Sequence, residues 1–303
     1  MLRLLLVMLF FSFTHLSAPL ASELNDAAAS PVQDEGRVQK SSRLIGEAFF
    51  NIDDDFKGMA LYPFEHPRET LFFLGGIGAL VAADKPVTRY YQDKVEPIFN
   101  GYALKTPAAA KGLGLNGADS YLVLGIAGSY ALGVAFNDEK SQKAALLAGK
   151  ATAYSIMISH LLLKTITGRQ RPVSNLRTAT GDQPPFTTNP YAFGHFSKPR
   201  LGSFAGGSSM PSYHFTQYFA VARVYAEVYD NYLIPYGVAA ALLASDIKGH
   251  RHWVSDMVAG ALIGTVIGGV VADNAEDAAT APSTMFIPAY TGDQISLNFY
   301  HQF

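Results

Sequence analysis

The chain has 303 residues, 49% of them hydrophobic and 16% charged, with a formal net charge of -2 and no cysteine. The lack of cysteine excludes disulfides, thiolate catalysis and cysteine-ligated metals, and without a long basic run there is no electrostatic footprint for nucleic acid. Nothing inside the chain reads as an interdomain linker, so one domain is expected. Its apolar fraction is high for a soluble protein and low for repeated bilayer crossings, which keeps a membrane surface among the partners.

Residues 1–22 read as a secretory signal: Arg3 gives a positive start, an apolar run covers 4–13, and small residues at 17–22 suit cleavage. The run is shorter than the roughly 20 residues a bilayer span requires. The protein is therefore expected in the periplasm or cell envelope, with association to the inner membrane left open. Residues 23–43 are rich in Ala, Ser, Asp, Gln and Glu without periodicity and read as a disordered lead-in. A helical domain is expected over 44–281, with apolar helices at 70–83, 120–137, 144–163, 215–229, 232–245 and 257–272. Only 120–137 is free of charge for 18 residues; Lys150 interrupts the third segment, and Arg223 with Glu227 the fourth. That favours a compact soluble bundle over a membrane-embedded one. The tail, 282–303, alternates apolar and polar residues on both sides of Thr291, Gly292 and Asp293 and reads as a β-hairpin. The fold class expected is all-α, a compact multi-helix bundle with a small C-terminal hairpin.

Three clusters carry chemistry. In KTITGRQRP, Lys164 and Arg171 are seven residues apart and share a face of a continuing helix, with Arg169 nearby. Such cations can grip a phosphate, the arginine as a planar fork and the lysine as a point charge. In SMPSYH, Pro211 and Ser212 suit the first turn of a helix whose amides favour an anion, and His214 follows two residues on. In SDIKGHRHWVSD, His252 and Asp256 are four apart, the spacing at which a carboxylate fixes an imidazole tautomer. Pairing His250 with His252 around zinc needs an i, i+2 arrangement that is a weak metal signature, so no metal and no other cofactor are expected.

Taken together, the clusters resemble the type 2 phosphatidic acid phosphatase and vanadium haloperoxidase superfamily, whose pattern is K-x6-R-P, P-S-G-H and S-R-x5-H-x3-D. Lys164, Arg171 and Pro172 match the first motif; Pro211, Ser212 and His214 the second; Ser245, His252 and Asp256 the third. The resemblance covers residues 65–275. It implies an exported phosphatase that needs no metal and acts on a phosphorylated small molecule or a lipid phosphate. His252 would attack phosphorus to give a phosphohistidine, Asp256 would orient it, and His214 would protonate the leaving alcohol and then activate water. Lys164, Arg171, Ser212 and the amide of Tyr213 would hold the phosphoryl oxygens. Vanadate-dependent haloperoxidase chemistry uses the same ligand set.

Two positions depart from the pattern. Tyr213 stands where the family has glycine, so its ring either points away or narrows the pocket. Asp246 stands where the family has a phosphate-binding arginine, placing an anion where a cation is called for. Arg251, Lys248 and His250 are close enough in sequence to restore the charge. The alternative reading is a catalytically impaired relative that binds an anionic or lipid headgroup without turnover.

Overall fold

A computed structural model describes residues 36–50, 52–112, 115, 117–179, 186–196, 208–245, 251–280, 283–290 and 295–302. The expected signal segment, Asp246, Lys248 and His250 lie outside the described residues, as do most of the residues just ahead of the second cluster.

The first helices arise where none was expected. Residues 37–43, read as part of a disordered lead-in, instead open α1 (Arg37–Phe50). Leu44 and Ala48 of α1 are buried. Ser41 donates to Gln142 at 2.7 Å, and Arg43 reaches Glu47 and Glu139. A polar composition hid an amphipathic helix that gains its stability by docking. Next, α2 (Ile52–Glu65) carries Asp53, Asp54 and Asp55 in its first turn, where the helix dipole favours anions.

The six expected helices are present and mostly longer than their apolar segments. α3 (Pro67–Tyr90) starts on a proline, passes through Pro86, and continues as a π-turn and a 3₁₀-turn to Phe99. After the single turn Ala108–Lys111 come α4 (Gly117–Phe136) and α5 (Glu139–Thr167), the latter capped by Asp138 and wound as a π-helix over Ile156–Leu163. α5 stops at Gly168, which has φ +50° and approaches His195 so closely that a Cβ would lie 2.7 Å from its nitrogen. Only glycine fits there. α6 (Tyr213–Tyr229), α7 (Leu233–Ser245) and α8 (Val254–Thr280) complete the bundle. Strands β1 (Ser283–Tyr290) and β2 (Ile295–Gln302) pair antiparallel, with Met285 opposite Tyr300.

The protein is thus an all-α bundle. Its main core joins Leu122 of α4, Leu147 and Tyr154 of α5, Tyr218 and Val224 of α6, Leu242 of α7, and Ile267 and Val271 of α8. Three glycines of α8 let it press against α6: Cβ atoms at Gly260, Gly264 and Gly268 would collide with the carbonyls of Ser212, Thr216 and Ala220. A small second core of Val173, Leu176 and Trp253 lies beneath the residues that follow α5.

Four helical stretches, Pro67–Phe99, Gly117–Phe136, Glu139–Thr167 and Val254–Glu276, are long and apolar enough to cross a membrane. Large apolar side chains also face outward, including Leu71, Phe72, Leu74, Phe136 and Leu233. The expectation of a soluble bundle rested on segment lengths that stopped at charges. The helices run through those charges, and the structure is compatible with membrane association.

Candidate active site

At one end of the bundle the continuation of α3, the start of α4, the last turn of α5, the start of α6, the last turn of α7 and the start of α8 come together. A pocket there is lined by Tyr91, Glu96, Ser212, His214, Arg251 and His252, with Leu243 and Met257 among its apolar residues.

Ser212 precedes the first turn of α6, held there because its amide donates to the Asp256 carbonyl at 2.9 Å and its carbonyl accepts from Thr216. Its side chain is buried, and its Oγ has no hydrogen-bond partner among the described residues. A buried hydroxyl left this way costs about 1–3 kcal/mol unless something else bonds it. Just beyond, the exposed amides of the first helical turn favour an anion.

His214 enters the pocket from α6. Its Nε2 lies 3.1 Å from Asp119 Oδ2, and the other Asp119 oxygen accepts from the Tyr218 hydroxyl at 2.7 Å. Asp119 sits in the first turn of α4 and is absent from the sequence-derived site. Its one sequence signal was a lone acid at the head of a segment that is otherwise free of charge.

His252 lies two residues before α8. Arg171 Nη1 is 3.3 Å from its Nε2. Because a guanidinium can only donate, Nε2 is the acceptor and the hydrogen belongs on Nδ1. Nδ1 is 3.5 Å from Asp256 Oδ2, within ion-pair range but longer than a hydrogen bond. That same oxygen accepts from the Trp253 amide at 2.9 Å.

Arg171 is buried, and its Nη1 also reaches the Arg251 carbonyl at 3.4 Å. Burial pushes its guanidinium down to about 10; Asp256 opposes this and Arg251 adds to it. Lys164 is buried in the last turn of α5, where its carbonyl accepts from Ser208 Oγ at 2.7 Å. Tyr213 turns its ring toward His160 and His214, with centroids 5.2 Å away in each case. It is not among the pocket's lining residues, so of the two expected outcomes the ring takes the one that leaves the pocket open. Burial raises its phenol well above the ordinary tyrosine value. The sequence-derived residues therefore gather at one end: Ser212, His214 and His252 line the pocket, Arg171 and Asp256 adjoin it through His252, and Lys164 lies behind.

Arg169 has a different place from the one its sequence suggested. It is fully buried and pairs with two carboxylates, Asp84 Oδ2 and Asp256 Oδ1, both at 2.7 Å. It also donates to Ser255 Oγ and to the Pro190 carbonyl, and lies against the Phe193 and Trp253 rings. Asp84 in turn accepts from the Ser255 amide at 3.0 Å and from its hydroxyl, while Thr88 accepts from the Val254 amide at 3.1 Å. The end of α3 thereby caps the first turn of α8.

No curated protein and no solved structure matches the chain. Residues 144–277 match the PAP2 superfamily, a segment that holds all three clusters and all seven of the sequence-derived site residues. Through that segment the chain is similar to the PAP2 superfamily, a likeness that supports phosphatase-type chemistry on phosphate esters or lipid phosphates.

Proposed function

We propose that this protein is an exported, membrane-associated phosphatase that hydrolyses a phosphomonoester or lipid phosphate through a phosphohistidine on His252. The observation that carries the reading is the buried Ser212 hydroxyl, without a partner among the described residues, in one pocket with His214 and His252. A phosphoryl oxygen would supply the missing bond. In the first step the lone pair of His252 Nε2 attacks phosphorus as the ester oxygen leaves, and Asp256 stabilises the charge that develops on the ring through Nδ1–H. His214, held by Asp119, protonates the departing oxygen. In the second step His214 takes a proton from water, which attacks the phosphohistidine and frees phosphate. Arg171, Lys164, Ser212 and the Tyr213 amide hold the oxygens as charge moves among them.

A lipid phosphate is the better-supported substrate class. Two of the four helical stretches of membrane-spanning length line the pocket near one end, through Tyr91 and Glu96 of one and Met257 of another, and Asp119 at the start of a third holds His214, so an inserted bundle would hold the pocket near a bilayer surface, at headgroup depth. The apolar run at 4–13 supports export.

The test uses the full chain purified in detergent, assayed for phosphate release from phosphatidate in mixed micelles and from soluble phosphomonoesters, with EDTA present. Hydrolysis should persist in EDTA, disappear in His252→Ala, and give an acid-labile, base-stable phosphoenzyme on brief mixing. An undiminished His252→Ala protein, or activity lost to EDTA and regained with zinc, overturns the mechanism.

A further inference from the structure

We propose that Arg251 is the cation that binds the phosphoryl group in place of the arginine missing at position 246; this rests on the phosphatase reading above. Arg251 lines the pocket beside Ser212, His214 and His252. Its guanidinium lies over the Phe186 ring, 4.5 Å from the centroid, which restrains a side chain that is otherwise flexible. Its carbonyl meets Arg171 Nη1, so the two arginines are tied together at the base of the site.

The backbone explains how neighbouring residues can both serve one pocket. Successive side chains of an extended segment point to opposite sides. Arg251 has φ +33°, a left-handed conformation rarely taken by a residue other than glycine. That turn breaks the alternation, so Arg251 and His252 line the same cavity. Backbone of this kind is costly and persists where the surroundings impose it, commonly at functional sites. Arg251 also contributes to the lowered basicity of Arg171, the effect of two like charges held around one point. Glu96 and Tyr91 face the same pocket, so the site is not purely cationic, and an incoming phosphate dianion would meet Arg251 with Glu96 nearby.

The experiment measures competitive inhibition by orthovanadate and by inorganic phosphate, together with kcat/KM, on the full chain. Arg251→Gln keeps a planar group able to rest on Phe186 but loses the charge; Arg251→Lys keeps the charge. Arg251→Gln should weaken oxyanion inhibition and lower kcat/KM by about tenfold or more, as expected for one lost charge-assisted contact. Arg251→Lys should retain most of both, and adding Asp246→Arg to Arg251→Gln should recover at least half of the loss on a logarithmic scale. Unfolding midpoints would establish that each variant is folded. A folded Arg251→Gln protein with inhibition and kcat/KM within about twofold of the parent overturns the inference. So does a Lys variant as impaired as the Gln variant, since packing would then be responsible. A parent protein that neither hydrolyses phosphate esters nor binds either oxyanion would instead sink the phosphatase reading itself.

Discussion

Helices α3 and α8 are both apolar, both rich in glycine and both long enough to cross a membrane, yet they occupy opposite environments. Of the apolar window of α3, 6% is buried; of that of α8, 61%. The glycines show the same contrast. Gly75, Gly76 and Gly78 of α3 have nothing within 4 Å of a would-be Cβ, whereas Gly260, Gly264 and Gly268 of α8 lie against backbone carbonyls of α6. Small residues allow close helix approach, but they do not say which helices will use the allowance. The value of α3 lies in its last turns, where Asp84 and Thr88 cap α8, and in Tyr91 and Glu96 beyond them, rather than in its apolar middle.

The largest expected effect of breaking this contrast is at Gly264. Gly264→Val would drive a branched side chain into the Thr216 carbonyl and force α8 away from α6. A loss of about 3 kcal/mol or more follows, seen as an absent or sharply lowered unfolding transition in detergent. Comparable in size is Asp84→Ala, which removes one of the two carboxylates from fully buried Arg169 and the cap from α8. About 3–5 kcal/mol of stability should go with it, measured by denaturant unfolding, while Asp84→Asn should lose less. The third extends the comparison to α4, another weakly buried helix with a functional end. Asp119→Asn should lower kcat about tenfold on an alkyl phosphate, whose departing oxygen needs a proton, and far less on p-nitrophenyl phosphate, whose leaving group does not. Equal losses on both substrates would mean that Asp119 only supports the fold. The smallest effect belongs to Gly76→Val on α3, expected to shift stability by no more than about 0.5 kcal/mol by the same unfolding measurement. A large loss there would show that this face is packed against something.

The three clusters are local in sequence, yet the first was misread in part: the helix ends at Gly168, so Lys164 and Arg171 do not share the face of a continuing helix, and Arg171 reaches His252 from the extended segment that follows. The six expected helices were legible from their apolar runs, though not their lengths. Asp84, Lys85 and Pro86 read as a stop, yet α3 passes through them because Asp84 has a buried partner that compensates for placing a charge inside a helix. α1 was missed because, among its described side chains, Leu44 and Ala48 are the only buried apolar ones in a polar sequence. Asp119 and Asp84 were missed for a different reason. Each acts on a residue at least 85 positions away, His214 for the first and Arg169 for the second, and no local spacing encodes such a meeting. Arg169 misled in the opposite sense. Two residues from Arg171, it has the same chemistry, and only the carboxylates around it distinguish a structural cation from one adjoining the pocket.

The segment shared with the PAP2 superfamily, 144–277, is not electrically complete. Arg169 and Lys150 are buried inside it, while Asp84 and Asp55, which neutralise them at 2.7 and 2.6 Å, come from α3 and α2. Asp119, on which His214 rests, lies outside as well. Excised by itself, the segment would retain every recognisable motif but have one uncompensated lysine in its interior and an arginine left with a single counterion. The charge compensation of the interior therefore reaches back to α2, well ahead of the boundary of the shared motifs.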